Sequence, residues 1–420
     1  MTKKASTPAL RFKGFTYTWE QRKLGDIMNV TSVKRIHQSD WTDSGIRFLR
    51  ARDIVSASKN EEPDDYLYIS KEKYDEYSLV SGKVAIGDLL VTGVGTIGVP
   101  YLIRNSEPLY FKDGNIIWFQ NGAKIDGDFF LYSFFGKAIQ DFINESAGIG
   151  TVGTYTIESG KKTPISLPEM KEQQQIGAYF RNLDHLITLH QRKYDKLTNM
   201  KKSMLEKMFP KNGANVPEIR FKGFTDAWEQ RKLGEIADVT KLAGFEFTEH
   251  IVYSDEGDII ALRGLNVKKG CLVLDDVKYI DNSNFSKLGR SKLFINDVLF
   301  TYVGTVGELA IIPENNRFYL APNVSRIRFQ NRLYAPYMVQ QMGSKSFYDN
   351  MIFSLIATSS QPALSMENIR KFIVSVPKDF EEQEKIGQYF TNLDQLITLH
   401  QRELEKLKNL KKACLEKMFV

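Results

Sequence analysis

The chain repeats itself, and no other feature of the sequence restricts its possible folds as strongly. The segment from Arg11 to Thr16 recurs as Arg220 to Thr225, and Trp19 to Gly25 recurs unchanged as Trp228 to Gly234. Internal repeats indicate that each copy forms a similar structural unit. We therefore predict two related units in tandem.

A second shared block closes each copy, whereas the regions between the blocks have diverged. Glu172 to Phe209 recurs as Glu382 to Phe419, but residues 28–160 and 237–370 agree only at sparse positions. These positions include Gly95 to Gly98 with Gly304 to Gly307, Arg50 with Arg263, and Pro168 with Pro377. Similar ends around different middles indicate two specificities on one frame. Two copies that drifted at unequal rates are the alternative.

Composition excludes several classes of protein. Hydrophobic residues make up 42% of the 420 residues, which is enough for ordinary globular cores in more than one domain. Two cysteines and five histidines are too few for a disulfide framework or a cysteine-rich metal site. Neither a signal peptide nor a run of roughly 20 apolar residues is present. We expect a soluble, cytoplasmic protein, and its net charge of +6 permits binding to a polyanion.

The second shared block has the apolar spacing of a coiled coil. Apolar residues recur at alternating steps of three and four. They are Ile176, Phe180, Leu183, Ile187, Tyr194, Leu197, Met204 and Met208 in the first copy, and Ile386, Phe390, Leu393, Ile397, Leu404, Leu407, Leu410, Cys414 and Met418 in the second. A helix of about 35 residues spans roughly 50 Å, more than one compact domain needs. We predict an antiparallel helix pair related by a pseudo-twofold.

The divergent middles contain short β-type runs and one helical region each. Strands are predicted at 45–50, 88–92, 99–103 and 115–119, and at 258–263, 297–302, 308–312 and 324–329. Helical segments are predicted at about 128–145 and 334–352. Each middle is therefore a small mixed α and β domain.

No motif supports catalysis. Gly93 to Gly98 has the spacing of a dinucleotide-binding loop, but the β-type run at 99–103 follows it, so we predict a tight turn between strands. Asp276-Val277-Lys278 matches a nuclease triplet but has no such counterpart in the first copy. A phosphate loop ending in Gly-Lys-Ser/Thr, a His-Glu-x-x-His zinc motif and the tetrapeptide of adenine methyltransferases are missing from the sequence.

Taken together, these blocks resemble the specificity subunit of type I restriction-modification systems over essentially the whole length. The resemblance rests on Arg-Phe-x-Gly-Phe followed by Trp-Glu and Leu-Gly-Asp/Glu-Ile, on the Gly-Thr-Ile/Val-Gly turn, and on Ile-Thr-Leu-His-Gln-Arg near the end of each copy. It implies target recognition domains at 1–167 and 211–376, and conserved spacer helices at 168–210 and 377–420. The fold would be mixed α/β, with the two domains joined by two long antiparallel coiled-coil helices.

The resemblance also implies function and partners. The chain would recognise a bipartite, asymmetric site in double-stranded DNA and scaffold the catalytic subunits without being an enzyme itself. Two modification subunits would supply S-adenosylmethionine and adenine methylation. Restriction subunits would supply ATP-driven, magnesium-dependent translocation and cleavage. A self-contained DNA methyltransferase or nuclease and a coiled-coil scaffold that binds no DNA remain the alternatives.

Candidate DNA contacts follow from this resemblance together with residue chemistry. Arginine can fork onto guanine, asparagine and glutamine onto adenine, and hydroxyls and glycine-rich backbone can contact phosphates. In the first domain the candidates are Arg50, Arg52, Thr92, Thr96 and, within the loop from Gly148 to Tyr155, Gly150, Thr151, Thr154 and Tyr155. In the second domain they are Arg263, Asn266, Thr301, Tyr302, Thr305, Ser359, Ser360 and Gln361.

Overall fold

The computed structural model describes residues 7–59, 61–63, 65–147, 153–211, 213–242, 244–330, 332–356 and 362–420. The chain divides into two compact units. Unit 1 contains residues 1–191 and 402–420, and unit 2 contains residues 192–401. Each unit therefore combines one divergent middle region with portions of both long helices.

Unit 1 is built from short strands and helices that end in a long helix. Its strands are β1 (Glu20–Lys23), β2 (Asn29–Thr31), β3 (Trp41–Thr42), β4 (Ile46–Leu49), β5 (Leu67–Ile69), β6 (Leu89–Thr92), β7 (Pro100–Leu102), β8 (Leu109–Phe111), β9 (Ile116–Gln120) and β10 (Pro164–Leu167). Its helices are α1 (Leu24–Ile27), α2 (Ala51–Ser58), α3 (Lys71–Ser81), α4 (Gly127–Ser133), α5 (Lys137–Ser146) and α6 (Ile157–Lys162), followed by α7 (Met170–Lys207), which continues into unit 2.

Three sheets organise unit 1. The antiparallel sheet β2-β9-β6-β7 has Leu90 opposite Trp118 and Val91 opposite Ile117, all of them buried. The mixed sheet β3-β5-β4-β8 contains the parallel pair β4 and β8. The pair β1-β10 joins the two ends of the domain. Because β1 belongs to the first shared block, that block closes the domain beside the start of α7.

Unit 2 repeats this plan with different loops. Its strands are β11 (Glu229–Lys232), β12 (Ala237–Lys241), β13 (Ile260–Leu262), β14 (Val267–Lys268), β15 (Cys271–Leu272), β16 (Lys278–Tyr279), β17 (Val298–Thr301), β18 (Leu309–Ile311), β19 (Phe318–Leu320), β20 (Val324–Phe329) and β21 (Ile373–Val376). Its helices are α8 (Leu233–Ile236), α9 (Ala335–Met342), α10 (Lys345–Phe347), α11 (Met366–Arg370) and α12 (Phe380–Met418), the last of which continues into unit 1. The sheets β12-β20-β17-β18, β16-β13-β19 and β11-β21 match those of unit 1, and β13 and β19 are again parallel.

All eight predicted strands are confirmed, but each predicted helical region divides into two helices. Residues 128–145 form α4 and α5, with Gly136 preceding α5 as its N-cap. Residues 334–352 form α9 and α10 followed by a π-helical turn, and the Ser344 hydroxyl caps α10 by accepting the Phe347 N–H. A capping residue inside an apolar run starts a new helix, so each of these helical regions contains two helices.

The long helices pair in antiparallel fashion within each unit. In unit 1, Tyr179 Oη lies 3.5 Å from Cys414 Sγ, and Asp184 binds Lys411. In unit 2, Asp394 binds Lys201, and the Phe209 ring stacks on Phe390 with centroids 5.9 Å apart. The predicted apolar seam also packs on the globular cores. Ile176, Phe180, Leu183, Cys414 and Met418 belong to the core of unit 1, whereas Met208, Ile386, Phe390 and Leu393 belong to that of unit 2.

The first shared block anchors each long helix. Arg11 donates to both carboxylate oxygens of Glu172, at 2.6 and 2.7 Å, and Arg220 makes the same two contacts with Glu382. Both glutamates are buried. The repetition of Arg-Phe-x-Gly-Phe at the start and of Glu-Gln in the helix is therefore explained by one contact that both units need.

Candidate nucleic-acid interface

The first candidate arginine is fixed at the end of strand β4. Arg50 forms the N-cap of α2, and its main-chain N–H donates to Asp53 Oδ2 at 2.8 Å. Its side chain binds the same buried carboxylate, with Nε 3.0 Å from Oδ2 and Nη2 2.9 Å from Oδ1. This bidentate contact fixes the plane of the guanidinium group.

A second carboxylate covers the outer side of this arginine. Arg50 Nη1 lies 3.0 Å from Asp65 Oδ2, and Arg50 Nη2 donates to the main-chain oxygen of Asp65 at 2.7 Å. The Arg52 guanidinium also donates to Asp65. Hydrogen bonds from Arg50 and Arg52 lower the pKa of the Asp65 carboxyl to about 2. Both candidate arginines of the first domain are therefore engaged in ion pairs.

Unit 2 repeats the N-cap position of the arginine and its outer aspartate with different residues. Arg263 follows β13 and caps the 3-10 helix Gly264–Asn266, with its main-chain N–H 3.0 Å from Asn266 Oδ1. Arg263 Nη2 donates to Asp276 Oδ1 at 2.8 Å and to the Asp276 main-chain oxygen at 2.9 Å. Asn266 stands where Asp53 stands in unit 1. Leu265 stands at the position of Arg52.

Asn266 supports this arginine and is not available to DNA. It is fully buried, and its Nδ2 donates to the main-chain oxygens of Val273 and Asp276 at 2.9 and 2.7 Å. An amide whose hydrogen-bonding groups are satisfied inside the domain cannot fork onto adenine. The prediction of a base contact at Asn266 was therefore wrong.

The Gly-Thr-x-Gly segments are tight turns, as predicted. Gly95 and Gly98 have φ of 76° and 75°, and Gly304 and Gly307 have φ of 79° and 99°, a region that only glycine enters without strain. Strand β7 follows directly where a nucleotide-binding loop would open a helix. The dinucleotide interpretation is thereby excluded.

Thr92 and Thr301 hold these turns together from inside. Thr92 Oγ1 donates to the Thr96 main-chain oxygen at 2.5 Å and accepts the Val99 N–H at 3.0 Å. Thr301 Oγ1 makes the equivalent bonds with Thr305 and Glu308. Both threonines are buried, so neither hydroxyl can reach a phosphate and both contact predictions are corrected. Thr96 and Thr305 lie exposed at the turn tips.

The other candidates fall into four groups. Thr154 is exposed and pairs by a β-bridge with Val94, beside the first turn. Tyr155 is buried, with its hydroxyl 2.5 Å from that of Thr163, so a DNA contact through Tyr155 was the wrong prediction. Tyr302 is half-buried, and Lys241 Nζ lies 5.7 Å from its ring centroid. The candidates Gly150, Thr151, Ser359, Ser360 and Gln361 lie outside the described residues.

In unit 2 the strand-end arginine and the turn border one open cleft. The cleft has a volume of about 740 Å³. Its lining combines apolar residues with polar ones, three of them cationic: it includes Tyr253, Leu265, Val267, Val303 and Pro322, together with Arg263, Lys268, Lys278, Thr305, Glu308 and Asn323. The structure thus brings Arg263, Thr301 and Thr305 together. Apolar walls with a few polar groups suit a base edge, and the cations suit phosphates.

Sequence reasoning missed several residues of this surface. Asp65 and Asp276 lie in loops whose course no local pattern predicts, and their pairing with arginine follows from the fold. Lys278 drew attention only through the triplet Asp276-Val277-Lys278. Here the Asp276 carboxylate binds Arg263 and Lys278 binds Asp255, so the triplet does not form a nuclease centre.

Two further features concern only the part of the chain that the structure describes. It contains no group of three or more His, Cys, Asp or Glu side chains arranged to hold a metal ion. No helix there combines the length and the apolar character needed to cross a membrane.

Comparison with known proteins identifies what the chain is similar to. The family described as the Type I restriction modification DNA specificity domain matches it twice, at residues 17–199 and 225–409. The putative type I restriction enzyme specificity subunit S.HindORF215P of Haemophilus influenzae is 34% identical over 155 residues, which cover 37% of this chain and 37% of that protein. That alignment spans little more than a third of the Haemophilus protein.

Two other similarities extend over more of the chain. The MjaVIII specificity subunit of a type I restriction enzyme from Methanocaldococcus jannaschii is 21% identical over 294 residues, 67% of each protein. The crystal structure of a type I restriction-modification system S subunit from M. genitalium superposes with a TM-score of 0.56 and 16% identity, and covers 99% of both chains. At this identity the structural match supports the fold alone.

Proposed function

The chain belongs to the Type I restriction modification DNA specificity domain family, and from this premise we propose that it is the DNA-reading subunit of a type I restriction-modification complex. It recognises a bipartite, asymmetric site in double-stranded DNA. It carries no catalytic activity of its own.

The observation that carries this proposal is the duplicated recognition surface with different residues in each copy. Both units place an arginine after the equivalent strand and a Gly-Thr-x-Gly turn after another. Around these fixed points the residues differ, with Arg52 replaced by Leu265 and Asp53 by Asn266. Two domains of one fold with different surface chemistry would read two different half-sites, which makes the full site asymmetric.

The exposed members of this surface are the proposed DNA contacts. Thr96 and Thr305 at the turn tips and Arg52 beside Asp65 have accessible side chains. Lys268 and Lys278, which line the cleft of unit 2, add positive charge that can bind phosphates. Gly150, Thr151, Thr154, Ser359, Ser360 and Gln361 remain proposed contacts on residue chemistry alone.

The partners follow from the same premise. The relatives named above are specificity subunits of restriction enzymes, a name that presupposes separate catalytic subunits. Two modification subunits would bind S-adenosylmethionine and methylate adenine, and restriction subunits would use ATP and magnesium in the cytoplasm. Residues 1–167 and 211–376 would be the target recognition domains, and the helices at 168–210 and 377–420 would be the frame that the partners share.

Mapping of methylated adenines across the source genome, with and without the gene, tests this function. We expect one set of methylated positions to disappear with the gene, and all of them to share a two-part motif with a fixed spacer. Purified chain, free of partners, should transfer no labelled methyl group from S-adenosylmethionine to DNA. An unchanged methylation map, or methyl transfer by the isolated chain, would contradict the proposal.

Exchange of one domain at a time tests whether the two domains recognise their half-sites independently. A chain in which residues 28–160 come from a relative should shift one half of the methylated motif and keep the other. Exchange of residues 237–370 should do the reverse. Simultaneous change of both halves would show that the domains do not read independently.

A further inference from the structure

The two recognition domains share an ion-pair arrangement that their sequences do not suggest. Arg50 and Arg263 each bind the main-chain oxygen of an aspartate that lies later in the chain, at 2.7 and 2.9 Å, and each also binds the side-chain carboxylate of that residue. Few positions are common to these domains. In both domains the arginine binds the main-chain oxygen and the carboxylate of one aspartate. Retention of this contact indicates that it has a function in both domains.

The carboxylates lie on the solvent side of the arginines. The side chains of Asp65 and Asp276 are 56% and 69% exposed, whereas those of Arg50 and Arg263 are 14% and 25% exposed. The Asp65 carboxylate accepts from Nη1 and Nη2 of Arg50, and the Asp276 carboxylate accepts from Nη2 of Arg263.

Arg50 does not depend on the Asp65 carboxylate for its position, and Arg263 has one contact with Asp276 that does not involve the carboxylate. Asp53 holds Arg50 from the buried side through two hydrogen bonds, and the Asp65 main-chain oxygen adds a third. Arg263 keeps its contact with the Asp276 main-chain oxygen, which Asn266 also supports. If the Asp65 carboxylate turned away, the Arg50 guanidinium would stay in place with free donors, and Arg263 would keep its hydrogen bond to the Asp276 main-chain oxygen.

We propose that Asp65 and Asp276 are exchangeable counter-ions, which occupy the strand-end arginines in the free protein and give way to a DNA phosphate on binding. This inference rests on the proposed DNA-binding function. In the first domain the phosphate takes the outer donors of Arg50 and Arg52 together. In the second it takes those of Arg263.

The energies permit such an exchange. An exposed ion pair contributes little to stability, because water and salt screen it. A guanidinium forms charge-assisted, bidentate contacts with a phosphate, and each neutralised phosphate releases condensed cations from the DNA. The aspartates thus lower the affinity of the protein for DNA of any sequence. Binding is retained at sites where other contacts between the protein and the DNA add to the phosphate contact.

A purely structural function makes the opposite prediction. If the aspartates only fasten their loops to the arginines, their removal leaves DNA affinity unchanged or lowers it. Asp65→Asn and Asp276→Asn separate the two cases because they keep the main-chain oxygen and remove the charge. Asp141→Asn and Asp349→Asn are matched controls: they make the same charge change in exposed pairs with Lys137 and Lys345, at equivalent positions of the two domains.

The test measures binding of the full chain, with its modification subunits, to a duplex of arbitrary sequence by fluorescence anisotropy at several salt concentrations. We expect D65N and D276N each to bind about two- to fivefold more tightly, the size of an exposed ion pair that no longer has to be broken. Both controls should bind more weakly than these variants. Arg52→Gln should weaken binding and reduce the slope of log affinity against log salt by about 0.9, one phosphate contact. It should also diminish the gain from D65N, because the freed donor is missing.

The outcomes are distinct. Equal gains in D65N and D141N would reduce the effect to net charge and overturn the inference, as would unchanged or weaker binding by both aspartate variants with native circular dichroism spectra. If D65N fails to fold, D276N and R52Q decide the question. Absence of DNA binding by the wild-type complex would overturn the proposed function itself, and the inference with it.

Discussion

The ammonium nitrogen of Lys411 lies 2.6 Å from Asp184 Oδ1, across the helix pair of unit 1. The other oxygen of this carboxylate accepts a hydrogen bond from the buried Tyr132 hydroxyl, also at 2.6 Å. One aspartate therefore joins α7, α12 and the globular domain. In unit 2, Asp394 binds Lys201 at 2.6 Å and Gln340 at 2.9 Å in the same way. A single polar contact of this kind can fix the register of paired helices.

Asp184→Ala should loosen the helix pair of unit 1. The Tyr132 hydroxyl loses its acceptor, which we expect to cost about 1–2 kcal/mol of local stability. The partly exposed Lys411 contact adds less because solvent screens it. Hydrogen exchange of the amides in residues 176–187 measures this locally, since a chain with two units need not unfold in one step. Asp141→Ala, in an exposed pair, is the control and should leave those amides unchanged. Equal protection in both variants would contradict the prediction.

Arg11→Met should be far more damaging than its position near the chain start suggests. Glu172 is fully buried, and Arg11 supplies both of its ion-pair contacts at 2.6 and 2.7 Å. Removal of one partner from a buried pair strands the other charge, at a cost of about 3–5 kcal/mol. Arg220→Met should do the same in unit 2 through Glu382. Hydrogen exchange at increasing denaturant concentration gives an unfolding midpoint for each unit. These midpoints are compared between each variant and the wild type.

The double variant Arg11→Met with Glu172→Met tests the reason for this loss. It should recover most of the stability, because apolar side chains of similar volume need no partner in a buried site. Arg22→Ala, in an exposed pair with Glu20, should change stability by less than about 0.5 kcal/mol. If the double variant were as unstable as the single one, packing at Arg11 and not the stranded charge would be responsible.

Alkaline pH should destabilise the fold through its buried tyrosines. Burial raises the pKa of Tyr179 to about 12, and burial raises the pKa of Tyr132, Tyr155 and Tyr337 further. A phenol whose pKa is raised in the folded state, above about 10 in the unfolded chain, contributes stability that is complete below pH 10. That contribution is lost as the pH rises through the folded-state pKa. Denaturant midpoints should therefore fall increasingly above about pH 10.

The absorbance of phenolate shows whether burial is the cause. The buried phenols should ionise, and their phenolate absorbance appear, only as the chain unfolds. Tyr179→Phe should make stability less dependent on pH above 10. Ionisation of all tyrosines together while the chain stays folded would refute this assignment.

The sequence predicted the architecture because repetition and periodicity are local signals. The eight strands, the two long helices and the tight turns all follow from hydrophobic spacing and glycine positions. Helix α3 was missed although its signals are present: the Ser70 hydroxyl accepts the Lys73 N–H at its start, and Gly82 ends it with φ of 85°. Its residues show little amphipathic spacing, so a search for apolar periodicity passes over it.

The recognition surface was predicted less well, because burial and pairing depend on distant residues. Thr92, Tyr155, Thr301 and Asn266 have the chemistry of DNA contacts but are used inside the fold. Nothing near Arg50 in sequence indicates that Asp65, in a separate loop, closes over it. Residue type therefore predicted the correct turns and strand ends. The structure is needed to distinguish the side chains that face outward from those that stabilise the turn.

The turn threonines provide the most specific functional test. Thr92→Val removes the hydroxyl that bridges the Thr96 main-chain oxygen and the Val99 N–H, while its shape and burial are kept. With two hydrogen bonds lost at a buried site, the turn should shift and Thr96 should leave its position at the tip. We expect affinity for duplexes that carry the first half-site to fall about tenfold, with discrimination at the second half-site unchanged. Thr301→Val should affect only the second half-site, through Thr305. Thr92→Ser and Thr301→Ser keep the hydroxyl and should bind nearly as wild type. Binding to duplexes altered in one half-site at a time gives the answer: loss of discrimination at both half-sites from a single valine variant, or equal loss in the serine variants, would show that these turns do not set the two readings separately.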